Sequence, residues 1–148
     1  MSDQLADQYA FRPTGSTTAA LVCIQHRVTE LIREEAYVSI ISLDFAKAFD
    51  TVRHSVLARK LSNLEIPDCI YNWLVDFLQD RSHCTRIARR QSTFAPINAS
   101  VIQGSGLGPS EFIVNASDLH PIHERNKIVK FADDTYLIVI RSVKNWPQ

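Results

Sequence analysis

Three aspartates stand at the ends of the most apolar runs of this chain. Asp44 lies near the end of the run YVSIISLDF (37–45), and Asp133 and Asp134 separate the runs IVKFA and TYLIVI. The first run predicts a central strand buried on both faces, and the other two predict strands around a tight turn. Burying an unpaired charge costs several kcal/mol, so we expect these acids to face a cation, a basic partner or a solvent cleft.

The acids alone leave two interpretations open. Two aspartates in a hairpin turn are common because aspartate bonds its own backbone there, and Asp44 alone is an ordinary acid at a strand end. The alternative is a metal site. Magnesium favours oxygen ligands, and two ions roughly 3.5–4 Å apart clamp both oxygens of a phosphoryl transfer.

The remaining periodicity predicts helices. Ser16 or Thr17 caps a helix that runs to about Glu34, and apolar residues recur on one face of this helix at steps of three and four. That face comprises Leu21, Ile24, Val28, Leu31 and Ile32. A second helix ends before Pro67, which opens a third. Residues 82–102 are read as two short strands, and residues 111–119 as a helix after a glycine-rich loop. Alternating helices and strands imply a mixed α/β fold, with helices on one or both faces of a small sheet.

Composition limits the function classes. The 148 residues suit one soluble domain, and 16 basic against 16 acidic residues give zero formal charge. No global basic field therefore drives nucleic-acid binding, and local charge must do it. The one basic cluster is Arg81, His83, Arg86, Arg89 and Arg90. It predicts either a track for a nucleic-acid backbone or an ordinary solvated strand face.

Neither secretion nor membrane insertion is predicted. Cys23, Cys69 and Cys84 lack the paired spacing of a zinc site or disulfide scaffold, which indicates reduced thiols. The N-terminus has no signal-like segment, and no apolar run approaches the roughly 20 residues needed to span a bilayer. We therefore expect an intracellular protein, in the nucleus or cytoplasm.

Four motifs occur in a specific order. They are QYAFRPTGSTTAAL (8–21), LDFAKAFDTVRH (43–54), QGSGLGPS (103–110) and FADDT (131–135). Together they resemble the reverse transcriptases of non-LTR retrotransposons, over residues 8–140. The resemblance implies an α+β, palm-type fold: a small antiparallel sheet with packed helices, without most of the fingers and thumb. One palm domain is expected over 1–148, with 141–148 as an atypical tail.

The resemblance also implies a metal site. Asp44 and Asp133 match the acids that ligate two Mg²⁺ ions in this family, for which Mn²⁺ is a substitute. Asp134 matches the adjacent acid, which has a supporting role in the same site. The implied activity is RNA-directed DNA synthesis, and the implied partners are an RNA template, a DNA primer and deoxynucleoside triphosphates.

Further residues match nucleotide-binding positions of the family. The backbone amides of Phe45 and Ala46 approach the triphosphate, and Phe49 excludes a 2′-hydroxyl, although outside the motif it reads as a core phenylalanine. Gln103 and Gly104 pack near the nascent base pair and the template.

The template and primer contacts are less specific. Arg12 is either a phosphate contact or a solvent-exposed arginine, and Arg86 and Arg89 belong to the basic cluster. The functional alternative is a truncated, non-catalytic remnant or interaction module. The sequence predicts no oligomeric state.

Overall fold

The computed structural model describes residues 5–35 and 37–141, without the side chain of Arg141. Residues 47–115 form one compact unit, here the helical unit, and the described residues up to 46 and from 116 onward form the sheet unit. Each is described by itself. The single palm domain over 1–148 stays a prediction, and the expected tail lies outside the described residues beyond 141.

The elements combine helices with small antiparallel sheets, as the sequence predicts. In chain order they are α1 (Thr17–Glu34), β1 (Tyr37–Leu43), α2 (His54–Leu61), α3 (Asp68–Leu78), β2 (Ser82–His83), β3 (Arg86–Ile87), β4 (Arg90–Gln91), β5 (Ala95–Pro96), α4 (Gly108–Asn115), β6 (Lys127–Phe131) and β7 (Asp134–Arg141).

The sheet unit is built on an antiparallel sheet of order β1-β7-β6, against which α1 packs. The predicted hairpin is confirmed, since β6 pairs with β7 up to Phe131↔Asp134. The prediction that β1 is central and buried on both faces is wrong. β1 is an edge strand of the described sheet, and Tyr37, Ile40 and Ile41 are exposed. The central position belongs to β7, where Ile138 is fully buried.

Helix α1 confirms the predicted bounds and cap. The Ser16 hydroxyl accepts a hydrogen bond from the Ala19 N–H at 3.0 Å, which satisfies one of the free donors of the first turn. Ala20 is its buried residue. The predicted apolar face is too wide, because Leu21 and Ile32 lie beside the packed stripe and are exposed.

The helical unit is organised by contacts of α2 with α3 and α4. Its most buried side chains include Leu57, Val101 and Phe112. Pro67 precedes α3, as predicted. Helix α4 starts at Gly108 rather than 111 and ends before 119. The early start follows from the Ser105 hydroxyl, which accepts from the Gly108 N–H at 2.9 Å and caps the first turn.

Residues 82–102 contain four strands of two residues, not the two strands predicted. They form two separate ribbons, β2-β5 and β3-β4. The cause is a tight turn after Ile87, where Ala88 adopts a φ of 52° and reverses the chain into β4. Cys23, Cys69 and Cys84 form no disulfide among the described residues. None of the helices within the described residues combines the length and the apolar composition that a bilayer span requires.

Candidate active site

Backbone pairing brings Asp44 to the end of the sheet that carries Asp133 and Asp134. The β1–β7 ladder ends at the pair Leu43↔Thr135, so Asp44 and Asp134 each lie one residue beyond that pair. Opposed Cα atoms in antiparallel strands are about 4.5–5.5 Å apart. Two acids separated by ninety positions in the sequence therefore become neighbours in the sheet unit.

Asp133 lies in the turn of the β6–β7 hairpin. Phe131 pairs with Asp134, which leaves a two-residue loop of Ala132 and Asp133. Ala132 has a φ of 56°, a left-handed conformation that side chains other than those of glycine, asparagine and aspartate rarely adopt. Its N–H donates to the side-chain oxygen of Gln8 at 3.1 Å. The loop places Asp133 at the tip of the sheet.

The carboxylates are accessible and carry uncompensated charge. Asp44 and Asp134 are exposed, and Asp133 is half-buried. Within the described part of the chain, no lysine, arginine or histidine forms an ion pair with any of the three. Hard carboxylate oxygens at one sheet end have the chemistry that Mg²⁺ prefers.

The side chains are not assembled into a ready metal site. Across residues 5–35 and 37–141, no group of three or more acidic, histidine or cysteine side chains is placed to hold a metal ion. Asp134 instead borders an apolar cleft of about 160 Å³ beside α1, together with Ala20, Ile24 and Phe131. The backbones of the three acids are brought together, and their carboxylates must rotate to share a cation.

The residues matched to nucleotide binding are distributed over both units. Phe45 and Ala46 follow Asp44 in the sheet unit and are exposed. Phe49, in the helical unit, is half-buried and stacks on Phe112 with ring centroids 5.0 Å apart. One face of the Phe49 ring is therefore occupied by a core residue. Its role in excluding a 2′-hydroxyl stays a prediction.

The glycine-rich loop presents an exposed polar side chain. Gln103 donates its amide N–H to the Asp50 carboxylate at 3.1 Å, so its amide oxygen remains an acceptor for other groups. Gly104 has a φ of 82°, which favours glycine at this turn. Gln103 and Asp50 also line a cleft of about 320 Å³ in the helical unit.

Two further side chains line that cleft, His54 and Arg81, and both act electrostatically on the buried carboxyl of Glu111. Arg81 donates to the Phe77 carbonyl at 2.6 Å and lies over the Phe77 ring. Burial raises the pKa of the Glu111 carboxyl, against the opposing attraction of His54 and Arg81. The sequence did not single out Glu111, because its position after a proline on a short helix gives no sign of burial.

The arginines matched to template or primer contacts occupy different settings. Arg12, in the sheet unit, donates to the backbone carbonyls of Leu5 and Gln8, so part of its guanidinium is engaged locally. Arg86 and Arg89 are exposed on the β3–β4 ribbon. The two side chains do not lie on one continuous strand, because the turn at Ala88 separates them. Template contacts by these residues stay predictions.

Comparison with known families decides the affiliation of the chain. Residues 2–144 match the family described as reverse transcriptase (RNA-dependent DNA polymerase). The chain belongs to the reverse transcriptase family. The predicted resemblance is confirmed, and the four motifs that carry it lie within the matched residues.

Relatives of the chain are named as proteins of mobile elements. It is 32% identical over 138 residues to the RNA-directed DNA polymerase from mobile element jockey of Drosophila melanogaster, covering 88% of this chain and 15% of the relative. It is 29% identical, with the same coverage, to the probable RNA-directed DNA polymerase from transposon BS of Drosophila melanogaster. A polyprotein from the type-1 retrotransposable element R2 of Popillia japonica is 37% identical over 79 residues, covering 53% of this chain and 11% of the relative.

The chain thus spans about 15% of the length of the first two relatives.

Sequence reasoning missed two residues beside the acids, Gln8 and Lys130, each 1% exposed. Gln8 is the first residue of the motif at 8–21, whereas Lys130 directly precedes the motif at 131–135. Their burial depends on pairing between distant segments, and no local pattern reports it.

Proposed function

We propose that this chain is the palm of an RNA-directed DNA polymerase, which adds deoxynucleotides to a primer 3′-hydroxyl on an RNA template. One observation carries the proposal. The register of the β1-β7-β6 sheet puts Asp44 one residue beyond Leu43↔Thr135, next to the hairpin that holds Asp133 and Asp134. Membership of the reverse transcriptase family supports the reaction class.

The proposed metal ligands are Asp44 and Asp133, with Asp134 in support. Two Mg²⁺ ions, or Mn²⁺ in their place, lower the pKa of the primer hydroxyl and neutralise the triphosphate when bound. The exposed carboxylates of Asp44 and Asp134 are free to rotate toward a cation, and the sheet fixes their backbones. The protein contributes positioning and charge, and no covalent enzyme intermediate is required.

The proposed nucleotide contacts, taken for each unit by itself, use backbone and ring surfaces. The amides of Phe45 and Ala46 follow Asp44 directly and are accessible for a triphosphate. Phe49 restricts the sugar to a deoxyribose through the bulk of its ring. Gln103 and Gly104 lie along the nascent base pair, where glycine permits close approach.

The proposed nucleic-acid contacts are electrostatic. Arg86 and Arg89 are exposed cations of the β3–β4 ribbon, and Arg12 retains donors beyond those bonded to Leu5 and Gln8. These side chains would neutralise phosphates of the RNA template and DNA primer. The reaction belongs inside the cell, in the nucleus or cytoplasm.

Primer extension on an RNA template tests the proposal. We expect the wild-type chain to extend the primer with Mg²⁺, and Asp133→Asn to lower the rate by about a hundredfold or more, because a charged ligand is lost. Asp80→Asn is the matched control. Asp80 is an exposed residue of the helical unit with a φ of 51°, which asparagine adopts equally well. Equal extension by wild type and Asp133→Asn would remove the polymerase assignment.

A folded but non-catalytic remnant is the alternative function. It is favoured by the lack, within the described residues, of an assembled group of three metal ligands. Mn²⁺ titration followed by paramagnetic broadening of the Asp133 and Asp134 backbone signals separates the two. Selective broadening that Asp44→Asn weakens supports the polymerase palm. Absence of both broadening and extension supports the remnant.

A further inference from the structure

A short segment before α1 runs alongside β6 in the sheet unit. Gln8 forms a parallel bridge with Lys130. The Lys130 N–H donates to the Asp7 carbonyl and the Tyr9 N–H donates to the Lys130 carbonyl, both at 2.8 Å. Residues 7–9 thereby extend the sheet by one short, bonded stretch next to the acidic hairpin.

The Lys130 side chain also contacts the same segment through Asp7. Its ammonium lies 3.0 Å from the Asp7 carboxylate and donates to the carbonyls of Ala116 and Leu119 at 3.2 and 3.1 Å. Lys130 is 1% exposed, so these contacts are shielded from solvent. The segment is thus held by several contacts that do not involve the side chain of Gln8.

Tyr9 fastens the segment to α1. Its side chain interacts with that of Cys23 in α1, and this interaction together with burial raises the pKa of Tyr9 to about 12. The backbone that carries Gln8 is therefore held both by β6 and by α1. The side chain at position 8 therefore projects from backbone that is held in place.

The Gln8 side chain connects this segment to the hairpin turn. It is 1% exposed, and its oxygen accepts from the Ala10 N–H at 2.9 Å and from the Ala132 N–H at 3.1 Å. Its amide nitrogen is buried without a hydrogen-bond partner in the described structure. Burying an amide N–H group without a hydrogen-bond partner costs free energy. The two hydrogen bonds that the Gln8 oxygen accepts offset this cost.

The N–H of Ala132 donates to the Gln8 oxygen from a strained turn. Ala132 sits in the two-residue loop with a φ of 56°, where alanine is disfavoured relative to glycine. The Gln8 oxygen satisfies the N–H of this residue and so favours the strained conformation. The next residue is Asp133, whose direction follows from the backbone of the turn.

We propose that Gln8 is a positioning residue for the acidic hairpin: its buried amide oxygen holds the Ala132 N–H and thereby orients the carboxylate of Asp133. Its consequence for catalysis rests on the polymerase function proposed above. The contact between Gln8 and the turn is independent of that function, and it can be measured in a chain that has no activity.

Amide hydrogen exchange tests the contact. We expect Gln8→Leu to speed exchange of the Ala132 N–H by about tenfold or more, while the amide of Ile138 in the central strand exchanges as in wild type. Gln8→Glu keeps an acceptor oxygen at the same reach and should retain protection. Gln25→Leu, the same change at an exposed position of α1, is the control. Unchanged Ala132 exchange in folded Gln8→Leu overturns the proposal.

If Gln8→Leu does not fold, two other variants, Gln8→Asn and Ala132→Gly, test the same contact. Ala132→Gly relieves the strained turn, so the loss of Mn²⁺ broadening at Asp133 caused by Gln8→Asn should be smaller in the double variant than in Gln8→Asn alone. Additive effects of the two changes overturn the proposal.

Activity supplies a separate readout. In primer extension we expect Gln8→Leu to lower kcat with little change in KM for the template, and Gln8→Glu to recover part of it. A wild-type chain without extension counts against the polymerase function alone, because the exchange measurement still decides the role of Gln8. A change confined to KM contradicts positioning of Asp133.

Discussion

Glu111 is a buried acid whose two carboxylate oxygens lack hydrogen-bond partners in the described structure. It is 3% exposed on α4, and burial raises its pKa above the ordinary value of 4.5. His54 and Arg81 lower the pKa only in part. An unpaired carboxylate in such a place destabilises the fold whenever it is ionised.

Replacing Glu111 should stabilise the chain. Glu111→Leu removes the buried charge, and we expect the free energy of unfolding in urea at neutral pH to rise by about 1–3 kcal/mol. Glu65→Leu, an exposed position of the same unit, is the control and should change little. A lower stability for Glu111→Leu would mean that the carboxylate has a partner.

The same residue predicts a pH dependence. Because the folded state raises the pKa, it binds the proton more tightly than the unfolded state. The contribution of Glu111 is most favourable below pH 4.5 and is lost as pH rises through the raised folded value. Urea denaturation from pH 4.5 upward should show this fall in wild type and a flatter profile in Glu111→Gln.

At the scale of elements, the segment that precedes α1 depends on a close backbone approach. A Cβ at Gly15 would lie 1.9 Å from the carbonyl oxygen of Tyr9, and the Gly15 N–H donates to the Arg12 carbonyl at 3.0 Å. The turn therefore folds directly over the stretch that carries Gln8. Only glycine fits without moving the backbone.

Gly15→Ala should destabilise the sheet unit. The methyl group collides with backbone, so we expect a loss of about 1–3 kcal/mol in urea denaturation followed by circular dichroism. Gly106→Ala is the matched control, because a Cβ there meets nothing within 4 Å and the change should be nearly neutral. Equal changes in unfolding free energy for Gly15→Ala and Gly106→Ala would show that the backbone at Gly15 moves to accommodate a methyl group.

For the whole molecule, zero formal charge leaves nucleic-acid binding to local cations. Arg86 and Arg89 are exposed on a small ribbon. Few phosphate contacts imply weak binding with a shallow dependence on salt, because the slope scales with the number of phosphates that are neutralised.

Filter binding of an RNA–DNA primer template over a salt series tests this. We expect Arg86→Ala and Arg89→Ala each to weaken binding and to reduce the salt slope by about 1. Arg59→Ala, an exposed arginine of α2 with the same charge, should leave the slope unchanged. Equal slopes for all variants would exclude the ribbon as a phosphate contact.

The sequence alone predicted the features that depend on neighbouring residues. The Ser16 cap, the bounds of α1, the start of α3 after Pro67 and the β6–β7 hairpin all follow from local capping, proline and periodicity signals. The four ordered motifs identified the family, because each is a short run of adjacent residues. The site prediction from those motifs named Asp44, Asp133 and Asp134.

Only the tertiary structure decided which segments become neighbours. An apolar strand has the same pattern at the edge or the centre of a sheet, so the edge position of β1 was not predictable. The Gln8 contact joins residues 124 positions apart, and the burial of Glu111 depends on how α4 packs. Periodicity records which side chains are apolar, whereas pairing partners are selected by the free energy of the whole fold.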